Sequence, residues 1–369
     1  MGDTPLPSAP SSSKSGWHSL FFPFVCILTM GFIFIYSSSS INANNVYHNE
    51  FHYLSKQLVY FVLGLAIATP FAFIPVESLF RYRYFLFGGC LIFGLLTLVP
   101  GVGRRINGAR RWVQILGIQF QPAEILKFAT IIVASYELSQ KTKSLKLGLS
   151  ILIALITLLL QPDFGNFLIL GVTLFGLFIL AGLSPRIIAF VPIIVLPALA
   201  LLTLIAPYRM RRVTAFLDPY SDPLGSGFQI IQSFLAISTG GLLGKGLGNS
   251  EQKLYYLPEA HTDFIFSVIA EEMGFIGVAL VIFFFFILFF SMVNTALHAP
   301  NHATRLLTWG FALHFILGAL INLAMVAGLL PTKGLPLPLI SSGGTHLIVT
   351  LVSFAIILNI KKNSGIIEK

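Results

Sequence analysis

The chain has 369 residues, of which 56% are hydrophobic and only 10% charged, and its mean hydropathy is +0.86. A soluble domain is nearer a quarter charged, so this sequence cannot cover a water-facing surface and reads as one membrane domain, not two or three soluble ones. Its net charge of +9, from 23 basic and 14 acidic residues, lies in loops between apolar segments and on no basic helix, which argues against nucleic acid and for membrane topology and an anionic ligand.

Residues 1–16 carry Pro5, Pro7 and Pro10 with Ser8, Ser11, Ser12 and Ser13, the composition of a disordered tail. The apolar run Trp17–Tyr36 is longer than a signal-peptide core and lacks a small-residue cleavage site, so it reads as an uncleaved first helix. Further helices are predicted at 57–76, 84–100, 122–138, 146–161, 164–183, 187–206, 263–294, 306–330 and 344–360. The expected fold class is therefore an all-α polytopic membrane protein of about ten spans, with 17–360 as a single transmembrane domain and 361–369 as a second tail. Cys26 and Cys90 fall inside apolar segments and read as small buried hydrophobes, with no disulfide framework.

An even number of spans puts both termini on one side, and the Lys/Arg bias decides which. With the termini inside, the cytoplasmic segments hold eleven basic residues: Lys14, Arg81, Arg83, Lys141, Lys143, Lys146, Arg186, Arg305, Lys361, Lys362 and Lys369. The short outer loops hold six, Lys56, Arg104, Arg105, Arg110, Arg111 and Lys333. Both tails are thus expected in the cytoplasm.

Two outer segments stand apart: Gly101–Gln121, with four arginines, and the long loop 207–262. Within the latter, Phe228–Gly248 is apolar but punctuated by glycines and Lys245, which suits a re-entrant or interfacial helix better than a span. The eighth apolar segment begins at Asp263 and carries Glu271 and Glu272. Some thirty residues at ~1.5 Å each give ~45 Å, longer than the ~30 Å hydrocarbon core, so the helix tilts strongly or its first turns enter a water-filled cavity.

Ionisable groups inside a membrane are costly and are candidate functional groups by default. The strongest cluster is Pro258-Glu259-Ala260-His261-Thr262-Asp263. Asp263 sits at the N-terminal end of the eighth helix, whose dipole favours its ionised form, and there it serves equally as a general base or an ordinary N-cap. Glu271 and Glu272, two turns deeper, read as a buried pair with a basic partner on another helix, Lys127 being one candidate. Glu124 and Lys127 share a helix face three residues apart, as a structural ion pair or as ligand contacts. Arg104, Arg105, Arg110 and Arg111 run against the positive-inside rule, and guanidinium forks match the phosphate of a ligand or a lipid headgroup. Arg209, Arg211 and Arg212 extend the same field. Asp163 reads as a turn residue, and the serines of Ser341-Ser342-Gly343-Gly344 as helix caps. With a phosphate ligand, Mg²⁺ or Mn²⁺ needs only one or two carboxylates, so Asp263 or Glu259 are the candidate metal ligands.

Several stretches together carry a resemblance. They are Ile106-Asn107-Gly108-Ala109-Arg110-Arg111-Trp112, Gln121-Pro122-Ala123-Glu124 with Lys127, and Tyr256-Leu257-Pro258-Glu259-Ala260-His261-Thr262-Asp263-Phe264. To these add Leu330-Pro331-Thr332-Lys333-Gly334 with Pro338-Leu339-Ile340-Ser341-Ser342-Gly343-Gly344, and Arg211-Arg212-Val213 followed by Asp218-Pro219 and Gly227-Phe228-Gln229. From first helix to last, the chain resembles the SEDS proteins (shape, elongation, division and sporulation). The Glu-Ala-His-Thr-Asp and Pro-Thr-Lys-Gly forms look more like the division branch than the elongation branch. Ser342 stands where many members carry tyrosine.

The resemblance implies glycosyl transfer at the outer face of the bacterial cytoplasmic membrane, at the division septum. Lipid II is the implied substrate, β-1,4-linked glycan strands the product, and undecaprenyl diphosphate the leaving group. It aligns Asp263 with the family's essential aspartate and implies work beside a class B penicillin-binding protein, a transpeptidase, with other divisome proteins. On these grounds the expected substrate-binding residues are Arg110, Arg111, Glu124, Lys127, Arg211 and Lys333. The competing readings are a lipid II flippase, an elongation-type polymerase and a non-catalytic scaffold. A flippase needs a charged path to both faces, whereas here the unusual charges gather at the outer side.

Overall fold

A computed structural model describes residues 16, 18–106, 109–115, 117–140, 144–254, 257–258 and 260–364. The tail at 1–15, Lys141, Lys143, Glu259 and residues 365–369 lie outside the described residues. Thirteen α-helices are present among those described: α1 His18–Tyr47, α2 His52–Phe71, α3 Val76–Arg81, α4 Arg83–Leu96, α5 Pro122–Ser139, α6 Leu145–Leu160 and α7 Phe164–Leu180, then α8 Pro185–Ile205, α9 Pro207–Leu217, α10 Phe228–Gly240, α11 Ile265–Leu297, α12 His302–Val326 and α13 Gly344–Asn363. Each of the ten predicted segments is one of these helices. Six of them (α1, α2, α8, α11, α12 and α13) are long and apolar enough to cross a membrane by themselves, and α4, α6 and α7 are shorter apolar helices. The molecule is an all-α polytopic membrane protein.

The core forms around α5. Its residues Ala123, Leu126, Ile131, Ile132, Val133 and Ala134 are fully buried, and α4, α6, α7, α12 and α13 pack around it. That enclosure explains how α5 tolerates Glu124, Lys127 and Glu137, since none of them meets lipid. Helix α8 is the opposite case. Among its described residues none is buried, and its main neighbour is α9, so it lies on the outside of the bundle.

Three departures from the sequence reading matter. First, α1 continues eleven residues past Tyr36, through a serine- and asparagine-rich stretch. The Ser38 and Ser39 hydroxyls donate back to the carbonyls of Phe34 and Ile35 at 2.6 Å, which lets polar residues sit inside the helix. Second, the arginine loop is an antiparallel sheet, β1 Gly103–Ile106, β2 Ala109–Ile115 and β3 Ile118–Phe120. Ile106 pairs with Ala109, and Val113 with Phe120; Ala109 and Val113 turn into the protein.

Third, α11 is neither a uniform tilted rod nor a helix with its first turns in water. Gly274 breaks it with φ 61° and ψ −160°, a left-handed conformation that favours glycine, and a Cβ there would collide with the Gly244 backbone nitrogen. Residues 241–246 lie along the break. Phe275 and Ile276 donate to the carbonyls of Gly241 and Leu242, while Lys245 and Gly246 donate to those of Glu271 and Glu272. The expected interfacial stretch Phe228–Gly248 is thus α10 plus this strand-like segment, docked on α11.

The termini of these elements meet at one end of the bundle. Gln121 N donates to Thr345 Oγ1, Gly343 N to Gln57 Oε1, Ser342 N to the His261 carbonyl, and Tyr60 Oη to the Gln119 carbonyl. The sheet, the α1–α2 hairpin, the turn before α11 and the segment 331–343 therefore share this loop-rich end.

Candidate functional site

Asp263 lies in the turn that precedes α11, and its backbone is fixed from two sides. The Asn322 amide, on α12, donates to both the Asp263 carbonyl and the Leu335 carbonyl at 2.8 Å. Ser341 Oγ donates to the Thr262 carbonyl at 2.6 Å and accepts from Leu337 N. These bonds zip 261–263 to 335–342. They also leave the side chain of Asp263 beside Gly334, where a Cβ would sit 3.2 Å from Oδ2. A glycine at 334 is what lets the carboxylate approach this wall.

Gly334 also borders a cavity of about 150 Å³ lined by Arg111, Arg209, Arg212, Lys333 and Asp163. Four cations face one carboxylate. Arg111 donates to the carbonyls of Gln161 and Pro162, and Arg212 Nη1 donates to the Thr332 carbonyl at 3.0 Å. Arg111, from β2, thereby holds the turn between α6 and α7, and Arg212, from α9, holds the segment that follows α12. Phe164 forms an apolar floor, with the Arg209 guanidinium 4.7 Å and the Lys333 ammonium 5.5 Å from its ring centre. Burial, and then the nearby Arg212, hold the Lys333 ammonium down to a pKa of about 8. Such a cluster of like charges is what a polyanionic ligand would neutralise.

Beneath the cavity runs a buried polar chain. Gln121 and Asn166 both donate to Asp163 Oδ2, at 3.1 and 2.8 Å. Lys127 Nζ donates to Asn166 Oδ1 at 2.6 Å and to Glu124 Oε1 at 2.9 Å, and Glu124 Oε2 meets His346 Nδ1 at 2.9 Å. The predicted pair Glu124–Lys127 is therefore an ion pair set below the cavity, and it supports the cavity through Asn166 and Asp163.

Glu271 and Glu272 are fully buried and paired with partners other than Lys127. Glu271 accepts from Lys245 Nζ, Ser250 Oγ and the backbone N–H of Glu251 and Gln252. Glu272 accepts from Ser37 Oγ at 2.7 Å and from Lys253 Nζ at 2.9 Å. Together they bolt the long loop to α11 and α1.

Of the residues singled out from sequence, the fold brings Arg111, Lys333 and Asp163 together in the cavity and sets Asp263 beside Gly334 at its border. Arg110, next to Arg111 along β2, and the exposed Arg211 are not among the cavity's lining residues. Arg209 and Arg212 take their place, and the helical spacing of three along α9 puts those two on one face. Asp163 is more than a turn residue, for it caps α7 by accepting from Asn166 N while it anchors the polar chain. Among the described residues no group of three His, Cys, Asp or Glu side chains is placed to hold a metal. Cys26 and Cys90 are both free thiols.

A many-helix membrane bundle with a fixed carboxylate beside a cationic cavity defines a class: a membrane protein that meets an anionic ligand at one membrane surface. The chain belongs to the FtsW/RodA/SpoVE family of cell cycle proteins, whose model matches residues 18–365. It is 40% identical over 344 residues to a probable peptidoglycan glycosyltransferase FtsW of Geobacter sulfurreducens, covering 91% of this chain and 92% of the relative. With the FtsW of Coxiella burnetii, likewise named a probable peptidoglycan glycosyltransferase, the identity is 39% over 345 residues, 90% and 93% of the two chains. Among solved structures, a chain of a peptidoglycan synthase complex that coordinates polymerization and crosslinking superposes with TM-score 0.78 and 32% identity, covering 95% of this chain and 99% of that one. The rod shape determining protein RodA of Thermus thermophilus gives TM-score 0.70 and 30% identity, over 95% and 98%.

Proposed function

We propose that this protein is the peptidoglycan glycosyltransferase of a division machinery, joining lipid II disaccharides into glycan strands at the outer face of the cytoplasmic membrane. The observation that carries this reading is Asp263 held beside Gly334 at the edge of a cavity lined by Arg111, Arg209, Arg212 and Lys333. A sugar hydroxyl is a poor nucleophile, and Asp263 takes its proton as the oxygen attacks the anomeric carbon of the donor. The bond from that carbon to the diphosphate breaks, and undecaprenyl diphosphate leaves with the bonding electrons. The four cations stabilise its growing charge, in a setting where fixed donors need no reorganisation. The lipid tail stays in the bilayer, next to the exposed α8, whose Thr203 lines the same cavity.

In this reading the loop-rich end faces outward and both termini lie in the cytoplasm, the orientation that the basic bias of the loops favours. A class B penicillin-binding protein is the expected partner, crosslinking the strands as they emerge at the septum. If a divalent cation binds, Asp263 would hold it, and it would supply further charge neutralisation for the departing diphosphate.

The polar chain from Asp163 to His346 raises a second reading, passage of lipid II across the bilayer. That chain stops short. Beyond His346 the small cavity of about 30 Å³ adds His314, which meets Thr173 Oγ1 at 3.4 Å, but it is walled by Val349, Phe354 and Ile357, and the hydroxyls of Thr173, Thr350 and Ser353 donate back to their own helices. Polymerisation of lipid II by detergent-solubilised protein with its transpeptidase separates the two, because no second membrane face exists there. Wild type is expected to make polymer and Asp263→Asn to lose about 10²–10⁴-fold in rate while still binding lipid II. No polymer from wild type, with transfer of lipid II across liposomes, would sink the polymerase reading.

A further inference from the structure

Asn322 lies near the end of α12, fully buried, between Ala319 and Met325 on the helix's packed face. A polar group so placed is destabilising unless it is bonded. Both of its neighbours are carbonyl oxygens, those of Asp263 and Leu335, each at 2.8 Å. Carbonyls only accept, so the amide must turn its nitrogen toward them and give both hydrogens there. Its oxygen, on the other side, meets no donor among the described residues. One turn further along, Met325 Sδ accepts from Lys333 N at 3.0 Å. The face of α12 that carries residues 322 and 325 therefore holds the chain on both sides of Gly334, and Gly334 is the residue that Asp263 Oδ2 approaches.

A buried asparagine that ties two loops is ordinarily part of the fold's glue. Here that glue is present without it. Ser341 Oγ holds the Thr262 carbonyl and Ser342 N holds that of His261, so the two segments stay zipped by bonds of their own. Asn322 acts at the end of the zip, on the residue that bears the carboxylate. Only two side-chain torsions separate that carboxylate from its backbone, so a fixed Asp263 carbonyl confines where the carboxylate can reach.

We infer that Asn322 is a positioning residue for glycosyl transfer, one amide that sets the separation between Asp263 and the segment carrying Lys333, and this rests on the glycosyltransferase reading above. In a displacement at the anomeric carbon the attacking and leaving oxygens lie on opposite sides of that carbon. The base must reach the proton of the first while the cations reach the diphosphate bearing the second. Base and cation therefore have to be held at one spacing, and a misplacement of about 1 Å costs on the order of a hundredfold in rate. Asn322 touches the backbone of both parties and faces neither substrate.

The test uses the full chain with its transpeptidase in detergent and lipid II as substrate. Asn322→Leu keeps the volume and removes both donated bonds. It is expected to lower kcat about ten- to a hundredfold. KM for lipid II should stay within about twofold of wild type, since the cavity keeps its cations. In the Asp263→Asn background the same substitution should cost at most about threefold more, because residues that act as a unit are not additive. A second readout needs no turnover: hydrogen exchange without substrate should quicken together over 262–265 and 333–337, with the melting temperature little changed. If Asn322→Leu does not fold, Asn322→Ser, smaller and with one donor, takes its place with a smaller loss of kcat expected. Loss of fold in both would mark Asn322 as a structural residue and overturn the inference. So would a folded variant with unchanged kcat, a loss carried by KM, losses that multiply with that of Asp263→Asn, or unchanged exchange at the two segments. Failure of wild type to polymerise, with exchange quickened in the variant as expected, would count instead against the glycosyltransferase reading.

Discussion

Asp263 and the pair Glu271–Glu272 lie within ten residues of one another, yet the protein treats them in opposite ways. Glu271 and Glu272 are fully buried and saturated with donors from lysines, serines and backbone amides. At Asp263 it is the backbone that is clamped, while the carboxylate is set against a glycine at the lip of a cavity. Glu271 and Glu272 act as bolts inside the fold, while Asp263 stands beside the glycine that borders a cationic cavity, where its charge can meet a ligand. What distinguishes the two is how each is held; both are acidic residues in or beside an apolar segment.

The comparison can be broken by substitution. Asp263→Asn should lower the polymerisation rate by about 10²–10⁴-fold with little change in melting temperature. Glu272→Ala should do the reverse in kind, leaving Lys253 buried without its counter-charge and costing about 3–5 kcal/mol of stability. Replacing the pair together, Glu272→Leu with Lys253→Met, should recover much of that loss, as thermal denaturation in detergent would show. Equal loss of fold in Asp263→Asn and Glu272→Ala would erase the distinction.

The cavity sharpens it further. Arg111→Ala should raise the KM for lipid II about ten- to a hundredfold, since a charge-assisted hydrogen bond contributes roughly 1.5–3 kcal/mol. Arg110→Ala, one residue away but not among the cavity's lining residues, should change it little. A smaller effect is tied to pH. Lys333 is charged well below pH 8 and loses its proton as pH rises through about 8, so kcat/KM should fall on the alkaline side as the cavity loses a cation. Lys333→Arg should abolish that inflection, because a guanidinium stays protonated. The smallest effect is expected for Gly334→Ala, whose Cβ would press on Asp263 Oδ2 at 3.2 Å. A few-fold drop in kcat at unchanged KM, measured with saturating lipid II, would place the contact at the base.

All ten apolar segments were legible in the sequence, because a bilayer imposes length and hydropathy on every span. Asp263 and Arg111 stood out in the sequence as charges out of place beside apolar runs, and Lys333 through the family resemblance; the fold places Arg111 and Lys333 in one cavity with Asp263 at its border. The sheet at 103–120 was missed, although Asn107-Gly108 between Ile106 and Ala109 is a strong hairpin signal. The four arginines drew attention to charge and away from strand pattern. Arg209 and Arg212 were distinguishable from Arg211 only once 207–217 was known to be a helix. The partners of Glu271 and Glu272 were not legible at all. Lys245 and Lys253 reach them through a loop whose path depends on the glycine break in α11, and no local pattern encodes such a crossing.

That break also has a consequence for how the protein is made. A gap in a spanning helix exposes backbone groups that lipid cannot satisfy. Here the groups at 271–276 are met by residues 241–246, which precede them in the chain. A ribosome delivers the N-terminal portion first, so the patch is synthesised before the hole. When α11 enters the bilayer its missing bonds already have takers, and the helix need never be straight and then break. Moving the two segments apart, by circular permutation that places 241–246 after α11, would remove this advantage of order while keeping every contact of the finished fold.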